Sequence, residues 1–246
     1  LHLSIRRQRQ MCIRDSTTGT NNAAVGTSAL TANTTGNYNT ALGKNALVSN
    51  TTASNNTAVG EAAGDAITTG ANNTTVGHGS LSAVTTGYNN TALGGQAGAA
   101  CTAIGSTLIG AYAGDAAMSG NDNTAVGYYA LSANTTAANN VAVGASALGA
   151  NTTGAGNVAI GHYALDASTT VSNNTAVGKD AMTASTTAGE CVAVGAYALD
   201  ATTTGGYHTA VGYQALSANT TGTRNTAVGW GANRMGTTGA HNTAIG

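Results

Sequence analysis

Few residues in this sequence have side chains that could do chemistry, and two carboxylates are the best placed among them. Asp166 and Asp200 lie 34 residues apart, which is two lengths of a short repeat described below. Stacked repeats would bring them to about 10 Å from each other, slightly beyond the separation of the two carboxyl groups in inverting glycosidases. No column of Arg, Lys or His accompanies them. We therefore interpret both as solvated turn residues and predict no catalytic residue.

Histidine and cysteine give no sign of a metal or redox site. The histidines are too far apart in sequence for a metal-ligand motif, and the odd number of cysteines indicates no disulfide framework. The sequence also lacks the Gly-Gly-x-Gly-x-Asp motif of calcium-binding β-rolls. We predict neither an enzyme nor a protein with a cofactor or a bound metal. The residues concerned are His2, His78, His162, His208, His241, Cys12, Cys101 and Cys191.

Composition excludes further classes of function. Of the 246 residues only 7% are charged, and the net charge is −1. A chain so nearly neutral is not expected to bind nucleic acid, because that binding depends on many cationic contacts. No apolar run approaches the roughly 18 residues that span a bilayer, so we expect no membrane insertion by this chain.

A short repeat governs nearly the whole sequence. Asn-Thr-Ala-Val-Gly occurs in full at residues 56–60, 123–127, 174–178 and 225–229, with close variants between. Twelve of the thirteen intervals between the final glycines are 17 residues long, and the other is 16. A fixed period of this kind predicts a solenoid of stacked coils. These strand glycines are Gly26, Gly43, Gly60, Gly77, Gly94, Gly110, Gly127, Gly144, Gly161, Gly178, Gly195, Gly212, Gly229 and Gly246.

The pattern within a repeat predicts how one coil is built. An aliphatic residue precedes the glycine, and Thr or Val stands two residues earlier, so both would lie on one face of a strand. We expect that face to line the core. Leu at four, Ala at six and Thr at eight residues after the glycine also alternate, which predicts a second strand before the Thr-Thr-Gly turn. Asparagine opens the next strand and is expected to stack as a ladder. The fold predicted for residues 17–246 is therefore an all-β, parallel β-solenoid (β-roll) of about fourteen coils.

The first sixteen residues do not follow the repeat. They contain four arginines, half of all the Lys and Arg of the chain. We interpret residues 1–16 as a foreign leader, such as translated adapter sequence, and residues 17–246 as a fragment of a longer fibre.

Alanine recurs between the two aliphatic or hydroxyl-bearing strand residues, and again three residues after the glycine. A column exposed to solvent would be expected to vary among polar residues. Unbroken columns of small apolar residues suggest instead that another chain approaches closely. The predicted contact between chains comprises Ala125, Ala142, Ala159, Ala176, Ala193, Ala210 and Ala227.

Asn-Thr-Ala-Val-Gly followed by two variable residues and Ala-Leu resembles the head repeats of trimeric autotransporter adhesins, and similar repeats occur in some phage tail-fibre proteins. The resemblance covers Thr17 to Gly246. It implies a left-handed β-roll, a homotrimer and a role in attachment, on a cell surface or a virion outside the cell. The period of 17 is longer than that of the family. No stalk, membrane barrel or self-cleaving chaperone domain is present, so bacterial surface and phage both stay open.

Aromatic residues cluster one or two residues after the strand glycine, mostly in the second half of the chain. Exposed rings have flat apolar faces that suit stacking on sugars or contact with a protein surface. We expect this edge to contact glycans, extracellular matrix or a host surface; the alternative is that the rings only cover the turn. The residues are Tyr112, Tyr128, Tyr129, Tyr163, Tyr197, Tyr213 and Trp230.

Two other functions remain open. The paired threonines, such as Thr135-Thr136 and Thr203-Thr204, could form a regular array that binds ice or another crystal. We expect one threonine of each pair to point into its own coil, which weakens this reading. The second alternative is the shaft or receptor-binding segment of a phage tail fibre.

Overall fold

The computed structural model describes residues 18–246, so the predicted leader at residues 1–16 lies outside the described residues. These residues form an all-β structure of fourteen short strands, and within each of the two units described below neighbouring strands pair in parallel in sequence order. The predicted parallel β-solenoid is therefore confirmed, and residues 18–246 contain no helix. The strands are β1 (Ala23–Val25), β2 (Thr40–Leu42), β3 (Thr57–Val59), β4 (Thr74–Val76), β5 (Thr91–Leu93), β6 (Thr107–Ile109), β7 (Thr124–Val126), β8 (Val141–Val143), β9 (Val158–Ile160), β10 (Thr175–Val177), β11 (Val192–Val194), β12 (Thr209–Val211), β13 (Thr226–Val228) and β14 (Thr243–Ile245).

The chain divides into two compact units, Leu1–Asn121 and Asp122–Gly246. The first contains β1 to β6 and the second contains β7 to β14. Within each unit neighbouring strands pair in strict register, so that Ala142 of β8 lies opposite Ala159 of β9. Equivalent residues of successive coils therefore form straight columns, about 4.8 Å apart from coil to coil.

The strand glycine is fixed by the close approach of the next coil. Gly144 has a φ of 135°, a backbone conformation that L side chains rarely adopt. A β-carbon built on Gly144 would lie 2.5 Å from the carbonyl oxygen of Gly161. Any side chain at this position would therefore push two backbones apart, which explains why glycine closes every strand.

The strands face the opposite way from our prediction. The middle residue of β1 to β13 is buried and the residues on either side of it are not. In β8, Ala142 has no exposed surface, whereas Val141 and Val143 lie on the outside. The alternation was predicted correctly, but the side assigned to the core was wrong. Alanine occupies this inward position in every strand from β1 to β13 except β4 and β6, which have the buried Thr75 and Leu108 there.

The second strand of each coil was also wrongly predicted. After the strand glycine the chain turns instead of extending, and the leucine four residues on has a left-handed backbone, with a φ of 52° at Leu148. Ala147 and Leu148 are adjacent and both fully buried, which the alternating directions of a strand do not allow. Their turn still bonds to the next coil, since the amide of Leu148 donates to the carbonyl oxygen of Ala164 at 3.0 Å.

A buried asparagine ladder joins successive coils, as predicted. The Oδ1 atom of Asn174 accepts the amide of Cys191 at 2.9 Å, and the Asn174 amide donates to Oδ1 of Asn157 at 3.0 Å. The Nδ2 atom of Asn174 donates to the carbonyl oxygen of Ala188 at 3.2 Å. Each asparagine thus bonds two coils together and closes its own. The ladder residues that are not asparagine are Ser106, Cys191 and His208.

The ladder predicts that substitutions at two adjacent asparagines differ strongly in their effect on the free energy of unfolding. Replacing Asn174 with Ala leaves the buried Cys191 amide without its acceptor and removes one of the two side-chain hydrogen bonds to the Ala188 carbonyl, the other coming from Ser185. We therefore expect a loss of about 1–3 kcal/mol of unfolding free energy. Asn173 is exposed with a φ of 61°, and Asn173→Gly keeps that conformation, so we expect a change within about 0.5 kcal/mol. Urea unfolding followed by circular dichroism measures both. Equal losses in the two variants would contradict a structural role specific to the ladder.

Candidate functional site

The first candidate surface is the outer face of the sheet, formed in the second unit by the first and third residues of β7 to β14. These side chains are Thr, Val or Ile, and none carries a charge. None of them is buried, and Ile160 and Val228 are each 39% exposed. A continuous apolar column on the outside of a folded chain is typical of an interaction surface. We call it the outer sheet face.

The predicted contact through alanines does not hold. All seven alanines are the middle residues of their strands and have no exposed surface within their own chain. A second chain cannot reach a side chain that already lies inside its own coil, so these residues cannot form a contact between chains. The wrong choice of strand face caused this error, and the outer sheet face takes the place of the alanine column. The residues are Ala125, Ala142, Ala159, Ala176, Ala193, Ala210 and Ala227.

The second surface is the threonine edge, formed by the paired threonines eight and nine residues after each strand glycine in the second unit. Neither member of any pair is buried, so the expectation that one points inward is wrong. The turn is closed from inside: Nδ2 of Asn151 donates to the Gly154 carbonyl oxygen at 3.0 Å, and the Gly154 amide donates back to Oδ1 at 3.2 Å. The two threonines between them are therefore turned outward. The pairs are Thr135-Thr136, Thr152-Thr153, Thr169-Thr170, Thr186-Thr187, Thr203-Thr204, Thr220-Thr221 and Thr237-Thr238.

Hydrogen bonds between coils fix the first threonine in five of these seven pairs. The hydroxyl of Thr152 donates to the carbonyl oxygen of Thr169 at 2.9 Å, and Thr203 donates to Thr220 at 3.2 Å. Thr135, Thr186 and Thr220 make the same bond to the next coil. A side chain held in this way has one rotamer, so hydroxyl and methyl groups repeat at the coil spacing along the edge.

The third surface is the aromatic edge, formed in the second unit by Tyr128, Tyr129, Tyr163, Tyr197, Tyr213 and Trp230. Its last three residues make one row: the ring centroids of Tyr197 and Tyr213 are 6.0 Å apart, and those of Tyr213 and Trp230 are 6.2 Å apart. Trp230 is 70% exposed. The structure thus brings part of the predicted aromatic set together across three successive coils.

The other predicted aromatic residues stand apart from that row. Tyr128 and Tyr129 pack edge to face, with centroids 4.4 Å apart, and Tyr163 packs on His162 at 3.9 Å. Tyr112 occupies the same place in its coil but belongs to the first unit. The aromatic edge is therefore a set of local clusters and not a continuous stripe.

A lysine that the sequence analysis missed extends the row by one coil. The Nζ atom of Lys179 is 2.8 Å from the hydroxyl oxygen of Tyr197 and 4.7 Å from the centre of its ring. Lys179 also pairs with Asp180, and the hydrogen bonds to Asp180 and Tyr197 raise the pKa of the lysine. It therefore carries a positive charge at neutral pH beside an aromatic face. Its position directly after a strand glycine could have revealed it.

The two carboxylates singled out at first are not brought together. Asp166 and Asp200 are half-buried, and burial raises the pKa of each. The coil between them places Thr183 at the equivalent position, where Ala167 donates to the Thr183 carbonyl oxygen and Ala184 donates to that of Asp200. Among residues 18–246, no group of three His, Cys, Asp or Glu side chains could hold a metal ion.

Fold and surfaces together define this chain as a β-solenoid repeat protein. No protein-family model, curated protein or solved structure matches it. In the part of the chain that the structure describes, no helix has the length and apolar character needed to cross a membrane.

Proposed function

We propose that this chain is a structural and adhesive module of a fibre on a cell surface or a virion. In this proposal three copies associate through the outer sheet face, and the aromatic edge contacts glycans, extracellular matrix or a host surface. The observation that carries it is the outward aliphatic face of a parallel, in-register sheet. A scaffold whose interior is the same in every coil, with its varied side chains on an outer edge, suits attachment better than catalysis.

Association through the outer sheet face follows from its chemistry. Every strand of β7 to β14 presents an aliphatic third residue, and no charged side chain interrupts the column. Covering exposed Val, Leu or Ile side chains contributes about 25 cal/mol for each Å² removed from water. Because successive coils are equivalent, the face of one copy is complementary in spacing to that of another. Resemblance to trimeric adhesin heads supports three copies in particular.

Adhesion through the aromatic edge rests on where the chain varies. The residues one and two places after the strand glycine include Lys, Asp, His, Tyr and Trp, whereas the inward positions mostly repeat Ala, Leu and Asn. Exposed rings beside a cation can stack on the apolar face of a sugar while polar groups bond to its hydroxyls. This edge therefore has the side chains from which specificity could arise.

A pair of adjacent substitutions tests the association. We expect light scattering on the full chain to give a mass near three times 23.8 kDa. Val143→Asp places a charge on the outer sheet face, so it should reduce the mass to that of one chain and keep the β-type circular dichroism. Ala142→Asp buries an unpaired carboxylate inside the coil and should lose the fold. A parent chain that stays monomeric at micromolar concentration would contradict the proposed association.

Adhesion is tested by removing rings from the aromatic edge. We expect a variant with Tyr129, Tyr163, Tyr197 and Trp230 changed to Ser to bind glycan or extracellular-matrix arrays at least about tenfold more weakly, because each ring contact contributes about 0.5–1.5 kcal/mol. A control with Tyr38 and Tyr207 changed to Ser removes two exposed rings from a different turn and should bind as the parent does. If the first variant binds equally well while folded, the rings only cover the turn.

A second candidate function is binding to ice or another crystal face. The observation that favours it is the threonine edge, on which both threonines of each pair lie outside and the first threonine of five pairs is fixed by a bond to the next coil. Because the hydroxyl and methyl groups of this edge are periodic, they match a periodic surface better than they match a flexible ligand.

Thermal hysteresis of a solution of the full chain tests this second function. We expect a measurable gap between melting and freezing points that is lost when Thr153, Thr170 and Thr187 are changed to Lys, because bulky charges interrupt the array. The serine variant of the aromatic edge is the matched control and should keep the gap. No hysteresis in the parent chain would remove ice binding.

A further inference from the structure

One residue of the buried ladder can change its charge near neutral pH. In the second unit the ladder runs through Asn123, Asn140, Asn157, Asn174, Cys191, His208, Asn225 and Asn242. His208 is 1% exposed. It therefore lies inside the coil. The equivalent position in the other coils of this unit is an asparagine side-chain amide, except in the coil that has Cys191.

The imidazole of His208 reproduces the hydrogen bonds of the asparagine that it replaces. Its Nδ1 atom accepts the amide of Asn225 at 3.2 Å, as Oδ1 of Asn225 accepts the amide of Asn242 at 2.9 Å. The ring also bonds to the backbone of Gly222, fourteen residues on. Nδ2 of Asn225 bonds at the same offset, to the Gly239 carbonyl oxygen at 2.6 Å. A neutral imidazole can thus accept on one side and donate on the other, like an amide.

Protonation removes this likeness. An imidazolium ion carries N–H groups on both ring nitrogens and has no acceptor. Its new Nδ1–H would then face the N–H of Asn225, so two donors meet where the neutral ring has an acceptor. A buried cation that faces another donor is unfavourable, and burial likewise lowers the pKa of His208.

The groups around His208 do not compensate a positive charge. The preceding coil contributes the thiol of Cys191 and, beside it, the exposed side chain of Glu190. Tyr207 precedes His208 in its own coil, and Arg224 of the following coil lies over the Tyr207 ring at 5.2 Å. Burial has the largest influence on the pKa of His208 and lowers it, backbone hydrogen bonds raise it by less, and no carboxylate contributes. No opposite charge therefore offsets the burial of a protonated ring.

We infer that His208 is an acid-sensitive site in the solenoid: its protonation breaks the ladder at Asn225 and opens the adjoining coils. Each coil is stabilised chiefly by its neighbours, so the opening is local. The coils on either side carry Tyr197, Tyr213 and Trp230, and the row of rings loses its spacing when they separate. This inference rests on the ladder and holds whether or not the rings bind a ligand.

The direction of the pH effect follows from the lowered pKa. The folded state favours the neutral ring, so the contribution of His208 to stability is complete above about pH 6.5, the ordinary pKa of histidine. It is lost as the pH falls below that value, and the equilibrium constant for opening rises by up to about tenfold per pH unit. Asp166 and Asp200 act in the opposite sense, because burial raises the pKa of each and protonation favours the folded form.

Hydrogen exchange at the amide of Asn225 tests the inference in the full chain, since that amide donates to His208 itself. Between pH 7.5 and pH 5 we expect its protection factor to fall in the parent by up to about tenfold per pH unit below pH 6.5. His208→Asn restores the amide ladder and should abolish this fall. His241→Asn removes an exposed histidine and should behave as the parent does.

Two results would overturn the inference. One is an equal fall in protection in the parent and in His208→Asn. The other comes from titrating the imidazole signal of His208 in the parent by NMR: His208 should take up its proton below about pH 6.5, the ordinary pKa of histidine. A titration at the ordinary value, with protection at Asn225 unchanged, would show that the ladder tolerates the charged ring.

Discussion

The hydrogen bonds that run from coil to coil are the constraint on which this structure depends. The coil interior holds alanine and leucine but no large aromatic side chain, so packing alone contributes less per residue than in a thick globular core. Buried asparagines bond two neighbouring coils and close their own, and the strand glycines let backbones approach within a few ångströms. Spacing along the solenoid is thereby fixed, and every surface column inherits it.

This constraint separates two kinds of position. Residues that point inward or close a strand are mostly Ala, Leu, Asn or Gly, because burial, hydrogen bonding and close backbones limit them, as Ala142, Leu148, Asn174 and Gly144 show. Residues that point outward meet no such limit. The outer sheet face, the threonine edge and the aromatic edge can therefore differ in chemistry on one unchanging scaffold. His208 is informative because it places an ionisable group among the constrained positions.

Much of the fold could be predicted from the sequence, because the period, the parallel stacking and the asparagine ladder all follow from repeated residues. The side of the strand that faces inward could not. Alternation shows that Val141 and Val143 share a face, but hydrophobicity assigned that face to the core, whereas the side chain inside the coil is that of Ala142. A left-handed backbone at Leu148 was equally hidden, since leucine seldom adopts it.

The candidate surfaces could be predicted only in part, because the repeat shows which residues recur but not which way their side chains face. The aromatic residues are outside the coil as expected, but only Tyr197, Tyr213 and Trp230 form a row. Both threonines of a pair face outward because Asn151 and Gly154 close the turn from within, a contact that no spacing rule reveals. The sequence shows that His208 occupies an asparagine position of the repeat. Its sensitivity to protonation could be inferred only once the structure showed that this position is buried.

The one short coil of the first unit shows what the repeat preserves. Between Gly94 and Gly110 the chain is one residue short, yet β5 and β6 still pair Thr91 with Thr107. Thr102 is followed at once by the buried Ala103, whose carbonyl oxygen accepts Nδ2 of Asn90 at 2.8 Å. The omitted residue is the second, outward threonine of the pair. The length of the chain at this turn can therefore vary, whereas the number of inward-facing residues stays the same. This turn is where loops would be inserted or lost as such repeats diverge.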